Sequence, residues 1–441
     1  MEKVSNFPLP PGQTGLPIIG ETIAFFSDRN FLKKRQEKYG SIFKTQIFGR
    51  PTIVITGAEG NYFLLTNENK SFISTWPSST KTLLGETSLA VQNGSFHTAR
   101  RKLLYQAFQP RALASYLPEM EKITAQYLER WKQLKSFVWY PELRNYTLDI
   151  ACKLLINLEQ GSQTKIGKLF KIWDEGLFSI PITLPWTKFG RALKAREELL
   201  KEIELIILQR QKSDQEIKDS LGILLKAKDE EGNQLTLEEL KDQILLLLFA
   251  GHETLTSALS SFCLLMCQHL NILEKIQQEQ DTLNLTSSLN LDQLKQMVYL
   301  EKVLKEVLRL IPPVGGGFRE VIQNCEFQGY TIPKGWIVQY QISRTHQDTT
   351  IYPNPAQFDP DRFSIKRAED KQQPFGYIPF GGGIRECLGK EFARLEMKIF
   401  ASLLTQNCTW QLLPNQDLSL NMIPTPKPKD GLKVILSERK D

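Results

Sequence analysis

Cys387 closes the run Phe380-Gly381-Gly382-Gly383-Ile384-Arg385-Glu386-Cys387, followed by Leu388-Gly389. Its composition suits a metal-ligating thiolate. Three glycines in a row let the backbone approach a flat ligand where any Cβ would clash. The run from Leu388 to Leu404 predicts a helix opening at the cysteine. Unpaired N–H groups and the positive dipole end of a helix start stabilise a deprotonated sulfur. Arg385, two residues upstream, adds a fixed positive charge. The bland alternative is an inert, buried cysteine at a glycine-rich turn.

A second constellation lies in Ala250-Gly251-His252-Glu253-Thr254, inside a stretch that reads as helix from Thr236 to about Leu270. A mid-helix glycine costs about 1 kcal/mol relative to alanine, so something should offset it. The Ala-Gly pair leaves a groove on the helix face. Thr254 is able to hydrogen-bond the carbonyl one turn back and loosen the helix there, and Glu253 beside it supplies a titratable carboxylate. The bland alternative is a close-packing glycine and an ordinary helix threonine. A zinc-peptidase reading of His252-Glu253 fails, because the second histidine of that motif would stand where the chain has Thr256.

Three further sets have possible roles. Glu306 and Arg309 are three apart on one helix face, which alone is worth only ~0.2–0.5 kcal/mol. Asp359-Pro360-Asp361-Arg362-Phe363 follows downstream. His97 and Arg101 sit in a stretch from Thr87 to Pro118 with basic but no acidic residues, and Arg319 follows Pro312-Pro313-Val314-Gly315-Gly316-Gly317-Phe318. A lone arginine is as readily a solvated surface charge. Cys263-x3-Cys267-x-His269 could pass for a zinc cluster, but one-turn spacing on an apolar helix predicts a packed face.

The decapeptide around Cys387 matches F-x-x-G-x-R-x-C-x-G in full and resembles the haem-binding loop of the cytochromes P-450, the haem-thiolate monooxygenases. The resemblance extends over essentially the whole chain. Ala250 to Thr254 looks like the family's A/G-G-x-D/E-T signature, Glu306-x-x-Arg309 like its E-x-x-R element, and Asp361-Arg362-Phe363 like its P-E-R-F element, with Asp where the family usually has Glu. His97-x-x-x-Arg101 is similar to its H-x-x-x-R pattern. The resemblance implies a single domain over residues 1–441, mainly α with small β-sheets, prism-like, with a long central helix over haem b (iron protoporphyrin IX). Cys387 would ligate the iron, with Phe380, Gly383 and Ala250 against the macrocycle. His97, Arg101, Arg319 and Arg385 would hold the propionates, since arginine forks match carboxylates. Thr254 and Glu253 would manage protons. Glu306, Arg309 and Arg362 would form a structural network.

The wording of several segments resembles the retinoic-acid hydroxylases, animal and cyanobacterial alike. Trp76, Phe178, Ile180, Phe249, Val314 and Phe318 would then line an apolar cavity for a long lipophilic molecule, a retinoid or apocarotenoid; ordinary core is the alternative for each. Neighbouring functions are a haem-thiolate peroxygenase or isomerase acting on fatty acids or their hydroperoxides, and a non-catalytic haem sensor or lipid carrier.

Around these sites the sequence reads as mostly helix from Phe96 to about Arg210, interrupted by Pro141, Gly161 and the loop Leu177–Pro185. Alternation predicts a β-hairpin over Ser41–Phe48 and Thr52–Thr56, turning at Gly49-Arg50-Pro51. Trp76 to Gly94 reads as irregular, Leu294 to Leu310 as one helix, and Ile351 to Pro379 as a structureless, proline-rich stretch. Thr236 with Glu239 predicts a capping box.

With 441 residues, 41% of them hydrophobic, the chain can bury a large core. The net charge of +6 is dispersed and accompanied by no nucleic-acid motif, which argues against nucleic acid. Six scattered cysteines predict reduced thiols and a cytoplasmic protein. The longest apolar stretch, Ile244 to Gly251, falls short of the ~20 residues that span a bilayer, so no transmembrane anchor is expected. No dinucleotide-binding or flavin motif is present, so electrons must arrive from another protein, here expected to be a ferredoxin with its reductase. Lys102, Arg111, Lys390, Arg394 and Lys398 are candidates for its docking face, together with Arg100. A monomer is expected.

Overall fold

The structure is a computed structural model that describes residues 7–28, 30–213, 218–283 and 288–439. The chain forms two compact units. Met1–Pro77, Leu308–Cys387 and Met422–Pro424 make the first; Ser78–Val307, Leu388–Asn421 and Thr425–Asp441 make the second.

The first unit is built on a sheet of β1 (Ile42–Ile47), β2 (Arg50–Thr56), β3 (Phe72–Ser74), β4 (Gly316–Val321) and β5 (Ile337–Gln341), in the order β1-β2-β5-β4-β3. Only β2 and β5 run parallel. The predicted hairpin forms, but Ile47 faces Arg50, so Phe48-Gly49 makes the turn and Pro51 lies within β2. Both turn residues have positive φ, 54° and 73°. That matches the twist of the strands and is closed to proline, whose ring holds φ near −65°. Helix α1 (Ala58–Thr66) packs on the sheet through Leu64 and Leu65 against Ile53, Ile55, Phe72 and Val338. It lies so close that a Cβ at Gly60 would meet Ile55 at 2.1 Å. Residues 351–379 hold only two short 3-10 turns, Pro360–Phe363 and Glu369–Lys371, as the proline content predicts.

The second unit is helical. Its main helices are α2 (Pro110–Leu134), α3 (Trp139–Ile156), α4 (Lys165–Asp174), α5 (Lys188–Lys212), α6 (Leu237–Gln268) and α7 (Lys390–Asn407). The aromatic side chains Trp131, Trp139, Tyr146 and Phe400 interlock α2, α3 and α7. Strands Ser136–Val138, Cys408–Leu412 and Lys433–Glu438 form a small antiparallel sheet with the last in the middle. The capping box is complete: Thr236 Oγ1 accepts from Glu239 N, and Thr236 N donates to the Glu239 carboxylate at 2.8 Å. Helix α6 is long and apolar enough to cross a membrane, yet 67% of its most apolar window is buried inside the protein.

Three local expectations are corrected. The segment from Trp76 to Gly94 contains a helix, Ser78–Leu84. Pro141 does not interrupt a helix; it sits in the first turn of α3, where a missing N–H is tolerated. Leu294 to Leu310 is two helices, Leu291–Gln296 and Val298–Leu310. Asn290 and Gln293 form a capping box that starts the first one earlier, and buried Met297 breaks the run at ψ 70°.

Candidate functional site

In the first unit the glycine run folds back on itself before the cysteine. Cys387 N donates to Phe380 O at 2.9 Å and Gly381 N to Ile378 O at 2.9 Å. Gly381 and Gly383 have φ of 70° and 64°, a region where other L-residues are strained. A Cβ at Gly383 would lie 2.5 Å from the Leu65 carbonyl oxygen, and one at Gly382 would lie 2.8 Å from the Phe375 ring. The loop is therefore pressed against the end of α1, and only glycine fits. Cys387 emerges as the exposed one among the six cysteines, none of them in a disulfide. Burial pushes the other thiols up, to about 12 for Cys267 and Cys325 and about 11 for Cys408. Cys152 and Cys263 are raised further by the same cause. Cys263 is fully buried and Cys267 Sγ reaches Trp410 O at 3.7 Å, so this pair is a packed face as expected.

The same unit brings Arg319 and Arg385 together on one residue that the sequence did not single out, Glu68. Arg319 Nε donates to Glu68 Oε2, and Arg385 Nε lies 3.2 Å from Glu68 Oε1. The carboxylate is placed by a tight turn after α1: Asn67 O accepts from Lys70 N and Ser71 N, and Asn69 N donates to Phe72 O. Arg319 stands on β4 opposite Ser74 of β3, with its guanidinium over the Tyr340 ring at 5.3 Å. Two guanidiniums against one carboxylate leave one net positive charge beside a glycine-lined backbone and an exposed thiol. That donor set fits a flat, thiolate-ligated, anionic macrocycle such as iron protoporphyrin.

Arg309 and Arg362 are buried in the first unit and converge on Gln357 O, at 3.2 and 3.4 Å. Arg309 also donates to His346 O, and Arg362 to Pro353 O and Asn354 O. Glu369, missed in the sequence, faces Arg362 at 3.0 Å. Glu306 is buried in the second unit. Thr75 N donates to Phe318 O at 3.3 Å, which draws the strand end before Trp76 to β4. Phe318 packs edge-on against Phe48, and Val314 is exposed.

In the second unit, Ala250, Gly251 and Thr254 form an open strip in the middle of α6, most of whose residues are buried. A Cβ at Gly251 would meet nothing within 4 Å. Thr254 Oγ1 donates to Ala250 O at 2.7 Å, the back-bond expected, while the helix stays α-helical through the motif. Behind the strip lies a buried polar cluster. Thr147 Oγ1 joins His252 Nδ1 and Thr256 Oγ1, each at 2.8 Å, and His252 Nε2 lies 3.3 Å from Glu253 Oε1. Arg144 Nη2 reaches Glu253 Oε1 at 2.6 Å and Asp174 Oδ2 at 3.0 Å. Burial opposes the charge on Glu253, but His252 and Arg144 outweigh it and hold this carboxyl below the usual carboxylate range. His252 is itself kept neutral by burial, so the permanent cause is the guanidinium. Arg144 and Asp174 carry no sequence signal, because only packing of α3 and α4 on α6 makes them neighbours of Glu253.

His97 is buried in the helix Gly94–Tyr105, with half-buried Arg101 one turn on. Phe249 meets Trp173 edge-on at 5.7 Å. In the 177–185 loop the inward residue is Leu177, whose carbonyl accepts from Ser79 and Thr80. Phe178 is 38% exposed and Ile180 is 75% exposed. The expected basic docking face is largely neutralised. Arg100 is turned inward onto Glu239, Lys102 pairs with Glu230, Arg394 with Glu301 and Glu391, and Lys398 with Glu301. Apart from Glu391, which lies one turn from Arg394 on α7, acids distant in sequence supply these partners.

Comparison with known proteins places these residues in context. The family model described as "Cytochrome P450" matches residues 10–435. The chain is 54% identical to the putative cytochrome P450 120 of Synechocystis sp. over 98% of each chain. It is 36% identical to the rat cytochrome P450 26B1 over 98% of this chain and 87% of that one. It is similar to the solved structure of retinoic acid-bound cyanobacterial CYP120A1, with TM-score 0.94 and 54% identity, covering 98% of this chain and all of that one.

Proposed function

Because the chain belongs to the cytochrome P450 family of monooxygenases, we propose that it hydroxylates a long lipophilic carboxylic acid, all-trans-retinoic acid or a related retinoid or apocarotenoid. When bound, a thiolate-ligated haem b supplies the activation of dioxygen and the insertion of one oxygen atom into a C–H bond. The observation that carries the reading is the exposed thiol of Cys387 on a loop only glycine can form, in the same unit as the Arg319–Arg385 pair.

Each residue has a task. Cys387 would provide the sulfur ligand, and the family resemblance assigns Phe380, Gly383 and Ala250 to the macrocycle. Arg319 and Arg385 would hold the propionates, a role the family resemblance extends to His97 and Arg101. Thr254 holds a hydroxyl at the open strip of α6, and Glu253 behind it carries protons inward. Arg309 and Arg362 keep the surrounding backbone in place by donating to carbonyls, and Glu306 would be the acid of this structural network. The family resemblance assigns Trp76, Phe178, Ile180, Phe249, Val314 and Phe318 to the apolar walls. Rigid aromatic walls select a long polyene, whose carboxylate stays near water because burying it unpaired is costly. The retinoid is supported by the ligand of the related cyanobacterial structure. Electrons come from an external donor, a ferredoxin with its reductase; the protein acts as a cytoplasmic monomer, one domain over residues 1–441.

The test is spectroscopic. The reduced, carbon monoxide-bound protein should show the strongly red-shifted Soret band of thiolate ligation, and Cys387→His should lose it. Retinoic acid, a saturated fatty acid and an apocarotenoid are then titrated against the ferric protein. A shift with either of the others but none with retinoic acid overturns the retinoid assignment; a histidine-type spectrum from the unaltered protein overturns the whole reading.

A further inference from the structure

Two carboxylates share one guanidinium nitrogen beneath the open strip of α6. Arg144 Nη2 stands 2.6 Å from Glu253 Oε1 and 3.0 Å from Asp174 Oδ2, so one nitrogen brings the two buried carboxyls side by side. All three belong to the second unit, on α3, α4 and α6. Two carboxyls held on one nitrogen can bond to each other only when one of them carries a proton, since a carboxylate is not a donor. The charge count agrees: one guanidinium neutralises one carboxylate, and a second negative charge buried beside the first is strongly disfavoured.

We propose that Asp174 is a positioning residue for proton delivery: it holds the proton of the pair and passes it to Glu253. The Asp174 O–H bond breaks as the Glu253 O–H bond forms. Arg144 stays charged and keeps the resulting Asp174 carboxylate paired. Asp174 then regains a proton from solvent, to which its side chain is nearer: 16% exposed against 9% for Glu253. Burial, then the Glu253 charge, push the Asp174 carboxyl up to about 8, with Arg144 pulling the other way. The proton therefore sits on the outer partner at neutral pH, while the inner one is an acceptor. The other titratable groups facing the pair are Tyr140 on α3, Glu175 after α4 and His252 on α6. Burial keeps His252 neutral and Tyr140 protonated, so neither supplies a competing charge.

The inference rests on Glu253 carrying protons, and the test separates the two. In the haem-loaded protein, Glu253→Gln, Asp174→Asn and Asp174→Glu are compared for hydrogen peroxide released per reductant consumed, across pH. Asp174→Asn should release severalfold more peroxide and lose the pH dependence near the Asp174 titration, and Asp174→Glu should restore both. If Glu253→Gln uncouples but Asp174→Asn leaves the peroxide yield and pH profile unchanged, the role of Asp174 is overturned; if Glu253→Gln has no effect, the reading beneath it fails. A second readout does not depend on turnover or on the variants folding. Infrared spectra of the unaltered protein with isotope-labelled aspartate should show a protonated aspartic carboxyl at neutral pH that disappears in alkali. Absence of that band overturns the proposal.

Discussion

Replacing Glu68 with alanine tests whether the arginine pair is held by charge or by packing. Glu68 and Arg319 are almost completely buried and Arg385 nearly so. At 3.2 Å, the Arg385–Glu68 separation, the Coulomb attraction is about 5 kcal/mol at an effective dielectric of 20. Desolvation consumes much of that in the intact pair. Removing one partner of a buried pair typically costs about 3–5 kcal/mol, because the remaining charge is left uncompensated. Here two guanidiniums lose the same carboxylate, while the Tyr340 ring and Phe318 O continue to serve Arg319. The expected loss is ~3 kcal/mol, read as the shift in urea unfolding of the haem-loaded protein by circular dichroism. Haem propionates would supply part of the missing negative charge, so loading with the dimethyl ester of haem should deepen the defect. A loss below about 1 kcal/mol, or one of equal size with either porphyrin, would refute the argument that the buried arginines need counter-charge from both sources.

Thr254→Ala removes one hydroxyl and its 2.7 Å back-bond to Ala250 O, so stability should change by less than about 1 kcal/mol while reducing equivalents divert to peroxide; unchanged product per reductant would count against a role in coupling. Gly383→Ala places a methyl 2.5 Å from the Leu65 carbonyl oxygen at φ 64° and should cost at least ~2 kcal/mol, with haem content falling in parallel; full haem occupancy in the variant would show that the loop relaxes freely. Trp76→Ala and Phe178→Ala should each weaken retinoid binding and broaden the set of hydroxylated positions, measured by spectral titration and product analysis, whereas Ile180→Ala at an exposed position should change both far less.

The parts of the fold that were legible are those set by neighbours in the chain. The α6 cap is encoded in Thr236 and Glu239, the hairpin in alternation, and the thiolate loop in glycines whose positive φ excludes other residues. Where reading failed, a local signal was overlooked or outweighed: the Asn290–Gln293 cap that starts a helix earlier, Met297 burying itself at a helix break, Pro141 opening a helix it was expected to interrupt. The Thr254 back-bond was readable because donor and acceptor lie four residues apart on one helix.

What the sequence carried by itself was residue type at short spacing: a cysteine set among glycines, an acid–alcohol pair on a helix, and scattered arginines to which the family resemblance assigns an anionic ligand. Those assignments rest on residue type and short spacing, which the chain carries locally. The electrostatic partners were decided only in three dimensions. Glu68 lies 251 positions from Arg319 and meets it across a sheet whose strand order no local pattern specifies. Arg144 and Asp174 reach Glu253 only because α3 and α4 pack on α6, and surface arginines expected to face a partner found carboxylates at home instead. Charge pairing depends on distance and burial, and both are properties of the packed molecule, set after the chain has chosen its elements.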